Sequence, residues 1–114
     1  MTITVYMLEN SQGRIYIGVT QNLARRLNEH NTGTSYITSK DSASLDWEVF
    51  HTWHVKDAIE ALKLEQYLKE LSHQQAIDLA LDCPNYGPYL RLLCKDVHIT
   101  ADTIKWHRKK GYAV

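Results

Sequence analysis

Several things are scarce in this chain, and each scarcity excludes something. Two cysteines, Cys83 and Cys94, in 114 residues are too few for a disulfide framework and do not point to an oxidising compartment. A zinc site built from Cys83, Cys94 and His98, with His73 or His107 as fourth ligand, lacks any C-x₂₋₄-C pair. The cysteines read better as reduced residues packing a helical tail. Two prolines and five glycines leave no room for a collagen-like, linker or low-complexity segment. Apolar runs are only a few residues long, which excludes a bilayer span. The start, Met1-Thr2-Ile3-Thr4, has no basic residue and no long apolar core, so a secretory signal is not expected. Net charge is zero and the pI is about 7.0, which removes any argument from overall basicity. The expectation is a soluble, cytoplasmic single domain.

Apolar residues make up 44% and charged residues 23% of the chain, the balance of a folded protein rather than a disordered one. A mass of 13.2 kDa suits one compact domain. Charge is unevenly placed. Residues 1–40 carry +2, residues 41–102 carry −6 and residues 103–114 carry +4. Two basic ends flanking an acidic middle can both touch a polyanion while the middle faces water. Ordinary surface charge gives the same pattern.

Residues 2–8, Thr-Ile-Thr-Val-Tyr-Met-Leu, read as a strand with Ile3, Val5 and Met7 on one face and Thr4, Tyr6 and Leu8 on the other. A turn through Gly13 leads to a second strand, Arg14 to Val19, and the short connection predicts an antiparallel hairpin. Thr20-Gln21-Asn22 offers N-caps for a helix that ends near His30-Asn31. Residues 32–46 read as a mobile loop, and Trp47 to Val55 as a third strand. Asp57 caps a second helix over about 58–72. His73 to Leu81 predicts a short helix, 89–97 another, and Thr100 or Asp102 caps a last basic helix stopping at Gly111. The predicted fold is α+β: a three-stranded antiparallel sheet flanked by helices, with a helical C-terminal tail.

Three features suggest chemistry. On the second helix Ala58, Ala61, Leu62 and Leu68 form an apolar stripe, and Glu65 falls inside it. A buried carboxylate needs a cation or donors, as an Mg²⁺ site would supply. A slightly rotated helix would instead expose Glu65 or pair it with Lys69 at i+4. On the first helix Arg26 and His30 share a face, a fork-shaped phosphate donor beside a second donor or acceptor. Singly, such a pair is an ordinary solvated face. On the hairpin Tyr6 and Tyr16 can approach one another, and Gly18 marks a bulge or a point where another backbone or a ligand comes close. Strand tyrosines are also common for packing alone.

Together these residues resemble the GIY-YIG nucleases. Tyr16-Ile17-Gly18 matches the second half of that family's signature, and Tyr6 matches the tyrosine of the first half, ten residues earlier. Arg26 and His30 follow at the family's spacing. The helix Ala58 to Leu71 is similar to the segment bearing the family's metal-binding glutamate, which aligns with Glu65. Two departures stand out. Val5 and Met7 replace the Gly and Ile around the first tyrosine. The Asn that some members carry after the glutamate has no equivalent, since Asn85 is wrongly spaced. The resemblance implies a small catalytic domain over residues 1–82, with a helical extension, 83–114, packed on or beside it.

The resemblance further implies metal-dependent endonuclease chemistry on DNA, duplex or branched. Glu65 would hold one Mg²⁺ or Mn²⁺. Arg26 would neutralise charge on the scissile phosphate. Tyr6 or Tyr16, of an ordinary pKa near 10, would help deprotonate the attacking water, and His30 would orient a tyrosine or touch a phosphate. Arg25, Lys40, Lys105, Trp106, Arg108, Lys109 and Lys110 are candidate nucleic-acid contacts, with Trp106 stacking among basic residues or packing as an ordinary helix residue. Long-site specificity would require a protein partner or a homo-oligomer. The rival readings are a non-catalytic nucleic-acid-binding module on the same fold and a small interaction domain.

Overall fold

A computed structural model of the chain describes residues 2–32 and 46–109. The expected loop at 32–46, apart from its ends, and the candidates Lys40 and Lys110 lie outside the described residues, as does the helix stop at Gly111.

Strand β1 (Ile3–Glu9) pairs antiparallel with β2 (Ile15–Thr20) and with β3 (Glu48–Val55), giving the order β2-β1-β3. The hairpin turn is built by Asn10, whose Oδ1 accepts from the backbone of Gln12 and Arg14, and by Gly13 at φ 75°. That left-handed conformation suits glycine. The turn sets a register in which Tyr6 opposes Gly18 and Leu8 opposes Tyr16.

The alternation read from β1 divides the molecule into two cores. Ile3, Val5 and Met7 face the main core, packed with helix α2 (Ala58–Glu70). Ala61, Leu62, Leu64 and Leu68 of α2 are all buried, each leucine stabilising the fold by about 1.5–3 kcal/mol. Tyr6 and Leu8 face the other way, toward Trp47 and toward Leu23 and Leu27 of helix α1 (Leu23–Asn31). The sheet thus carries α1 on one face and α2 on the other.

Caps fix where these helices begin. Asn22 accepts from the Arg25 amide at the start of α1, and Asp57 from the Glu60 amide at the start of α2. Helix α2 stops at Glu70, two residues short of the expected end. The reason is the next helix, α3 (His73–Asp82), whose capping box uses Ser72 and Gln75 and holds Ser72 extended. Helices α4 (Pro88–Cys94) and α5 (Ala101–Lys109) follow. α4 ends before residue 97, where the Val97 amide turns back to the Cys94 carbonyl. Leu90 and Cys94 are buried in the main core, with Val97, Ile99 and Ile104 packed against it. Trp53 of β3 donates from Nε1 to the Cys83 carbonyl at 2.8 Å, tying the sheet to the chain beyond α3. No described helix is long and apolar enough to cross a membrane.

Candidate active site

Gly18, Tyr16 and Tyr6 stand on the α1 face of the hairpin, and Val19 points to the opposite face. A cleft of about 330 Å³ wraps around this edge of the sheet and touches all four, together with Arg26 of α1 and Glu65 of α2. Four of the five residues expected to carry catalysis therefore border one cavity, although they come from four different elements. The fifth, His30, lies fully buried behind the tyrosines.

Tyr6 is fixed from two sides. Its hydroxyl lies 3.2 Å from His30 Nε2, and its ring lies over Gly18. A Cβ on Gly18 would sit 2.6 Å from that hydroxyl, so only glycine fits beneath it. The Tyr6 and Tyr16 rings are 6.1 Å apart, and Tyr16 packs at 4.7 Å on the His30 ring. The group that comes close to Gly18 is the Tyr6 ring, not the backbone or ligand expected there. Tyr16 is half-buried and faces the cleft.

Burial lowers the His30 pKa to about 4, and the nearby Arg26 guanidinium adds to this against the opposing effect of Glu29. The imidazole is therefore neutral at pH 7. Arg26 makes an ion pair with Glu29 at 3.3 Å and lies mostly out of solvent. Helix α1 is anchored at its far end by Asn31, whose side-chain amide donates to the Trp47 carbonyl at 2.9 Å and accepts from the Trp47 amide at 2.7 Å. That clamp holds the Arg26–His30 face against the hairpin. Arg25, one residue earlier, is exposed.

Glu65 is only 3% exposed, so the apolar stripe does turn inward. The alternative ion pair exists as well: Lys69 Nζ lies 3.6 Å from Oε2, its own side chain 43% exposed. Desolvation raises the Glu65 pKa, opposed by the charge and hydrogen bond of Lys69 and by a hydrogen bond from Gln66. The cleft thus contains a largely dehydrated carboxylate with one half-exposed cation nearby.

The tail contributes more than its charge suggests. Asp102, Thr103, Trp106 and His107 of α5 form a wall of the same cleft. His107 is buried, with Nε2 3.9 Å from Glu65 Oε1. Trp106 packs edge-on against the His107 ring at 4.8 Å and is 46% exposed. Trp106, a candidate nucleic-acid contact, thus borders the cleft. Lys105, Arg108 and Lys109 are exposed on the same helix. Neither free cysteine borders the cleft: Cys83 is half-buried and Cys94 belongs to the core. Among the described residues, no three His, Cys, Asp or Glu side chains gather as a metal cluster.

Sequence reasoning weighed His107 only as a fourth zinc ligand with Cys83, Cys94 and His98, and missed its place beside Glu65. Within Lys-Trp-His-Arg-Lys-Lys it looks like one more polar residue of a basic helix. The one available signal was its helical phase, two turns of chain pattern too short to separate an inward face from a solvated one.

The chain is similar to several known proteins. The GIY-YIG catalytic domain matches residues 2–78. UPF0213 proteins from Yersinia pestis and Yersinia pseudotuberculosis are 38% identical over 80 residues, covering 70% of this chain and 82% of theirs. A solution NMR structure of a UPF0213 protein from Bacillus halodurans is 26% identical with a TM-score of 0.48, covering 86% of this chain and all of that one. With the signature tyrosines, the arginine and the glutamate converging on one cleft, the chain belongs to the GIY-YIG family.

Proposed function

We propose that this protein is a divalent-metal-dependent endonuclease that hydrolyses phosphodiester bonds in DNA. The observation that supports it best is the convergence of Tyr6, Tyr16, Arg26 and Glu65 on a single cleft. A small interaction domain has no use for a dehydrated carboxylate there, and neither does a nucleic-acid-binding module, because both would bear its cost without return.

The donor set suits a hard cation. Glu65 offers oxygen ligands, and its nearest fixed positive charge, on Lys69, reaches only one of them at 3.6 Å. Glu65 would hold Mg²⁺ or Mn²⁺, which when bound supplies Lewis-acid polarisation of a phosphate oxygen. Arg26 lies on the cleft wall, where its planar fork meets phosphate oxygens and offsets the charge they gain in the transition state. Tyr16, half-buried and facing the cleft, reaches the attacking water and takes part in moving its proton. Tyr6 is a positioning residue: His30 and Gly18 hold its ring, and its ring holds Tyr16. A cytoplasmic setting, and sequence specificity supplied by a partner or a second copy, belong to the same reading.

The test is incubation of the full chain with Mg²⁺ or Mn²⁺ and duplex, single-stranded, flap and branched DNA. Cleavage is expected from the wild type and not from Glu65→Gln of unchanged circular dichroism. Arg26→Ala is expected to slow the chemical step by about 10²-fold or more, whereas the exposed neighbour Arg25→Ala changes it little. Salt-sensitive binding of every DNA without cleavage would establish the binding module instead.

A further inference from the structure

The GIY-YIG match ends at residue 78, yet the cleft does not. Helix α5 closes one side of it and places an imidazole nitrogen opposite the carboxylate of Glu65. We propose that His107 is a second protein ligand, beside Glu65, for a divalent cation in this cleft. The proposal rests on the reading that Glu65 holds such an ion and adds a residue from outside the matched domain.

Three observations carry it. First, the two atoms meet on the wall of the same cleft. His107 Nε2 and Glu65 Oε1 stand 3.9 Å apart, too far for a hydrogen bond. Second, neither group is solvated: both side chains are 5% exposed. A carboxylate oxygen thus faces an imidazole nitrogen, both out of solvent and both on the wall of one cleft. Third, the ring is held. Trp106 packs against it edge-on at an interplanar angle of 87°, and the helix that carries both is seated on the core through Ile104. Lys69 lies on the other carboxylate oxygen, Oε2, which leaves the Oε1 side of Glu65 to His107 and the amide of Gln66.

The donor chemistry gives the ion a preference. Carboxylate oxygen alone suits Mg²⁺ and Mn²⁺ alike, whereas an added imidazole shifts the balance toward Mn²⁺, the member of the pair that binds nitrogen better. A cleft with Glu65 and His107 therefore favours Mn²⁺ over Mg²⁺ more than one with Glu65 alone.

The test is electron spin-echo spectroscopy of Mn²⁺ bound to the full-length chain, with affinities from Mn²⁺ and Mg²⁺ titrations in the absence of DNA. The wild type is expected to show modulation from a directly bound imidazole nitrogen. His107→Gln is expected to lose that modulation, while His98→Gln, at an exposed histidine that does not border the cleft, keeps it. It is also expected to bind Mn²⁺ at least ~10-fold more weakly, the loss that even an outer-shell partner causes, and to lose more affinity for Mn²⁺ than for Mg²⁺. His107→Asn serves if the glutamine variant fails to fold, and the wild-type spectrum needs no variant. Mn²⁺ bound in a Glu65-dependent way without nitrogen modulation would overturn the role of His107 and leave the glutamate as the ion's ligand. Mn²⁺ binding indifferent to Glu65→Gln, or none at millimolar Mn²⁺, would overturn both. Metal-dependent cleavage by the wild type, measured separately, reports on the endonuclease reading alone.

Discussion

A methyl group on Gly18 would meet the Tyr6 hydroxyl at 2.6 Å and its ring carbon at 2.7 Å, and that ring has nowhere to retreat, being fully buried and bonded to His30. Gly18→Ala is therefore expected to push Tyr6 off His30 and reduce cleavage by more than it reduces stability, the latter by about 1–3 kcal/mol. Paired denaturant curves and single-turnover rates measure the two effects. A variant with wild-type turnover would mean that the Tyr6 position does not matter to the chemistry. The tyrosines themselves are separated by removing single hydroxyls. Tyr16→Phe is expected to lose most activity and to alter the pH–rate profile, because it faces the cleft. Tyr6→Phe is expected to lose less and to keep the profile, because its hydroxyl is spent on His30. The reverse order would exchange their roles.

His30 adds a pH dependence to the fold. Its folded pKa, about 4, lies below the ordinary value of 6.5, so the unfolded chain binds the extra proton. The stabilisation is complete above pH 6.5 and is lost as the pH falls toward 4, with a slope of at most ~1.4 kcal/mol per pH unit. Among the described groups around it, Tyr6 and Tyr16 on the hairpin and Trp47 before β3 are uncharged, Arg26 adds to the shift, and Glu29 opposes it. Melting temperatures of the wild type and His30→Gln between pH 7 and 4 should converge as the pH falls. Parallel curves would show that His30 is not the titrating group.

At the scale of the element, α5 combines two roles that its sequence blends together. One face carries His107 into the cleft, and Lys105, Arg108 and Lys109 point to solvent. Truncation after Ile104 removes both faces at once and so cannot separate them. Replacing the three exposed cations with alanine separates them. The triple variant is expected to keep its melting temperature within about 1 kcal/mol of stability and to retain Mn²⁺ binding. Its affinity for DNA should fall, with the slope of log K against log salt shallower by about 0.9 for each phosphate that the helix no longer neutralises. An unchanged salt slope would assign the three cations to solvation alone.

Across the whole molecule, the two basic ends of the sequence meet. Arg26 from the first and Trp106 from the last border the same cleft, and Glu65 and Asp102 of the acidic middle border it with them. How much of this the chain reveals on its own depends on the range of the interaction. The hairpin, α1 and α2 were legible because alternation, caps and the i, i+3, i+4 stripe are local signals, and Glu65 was legible because it violates one of them. The ends of α2 and α4 were less so, because each yields to the cap or turn of the next segment. His107 was not legible, because its inward aim depends on where α4 and Ile104 seat the last helix on the core. No local pattern encodes that placement.

The burial of Cys94 has a practical consequence. Its thiol is pushed up to about 11 by desolvation and lies within the main core, whereas Cys83 is half-buried at the end of α3. The natural chain thus carries two chemical clocks of different speed. A pulse of thiol-modifying reagent marks Cys83 from a partly opened molecule, and Cys94 only when the core itself comes apart. Mass spectrometry of the singly and doubly marked chains would then time opening at the end of α3 separately from release of α4 from the core, with no residue introduced for the purpose.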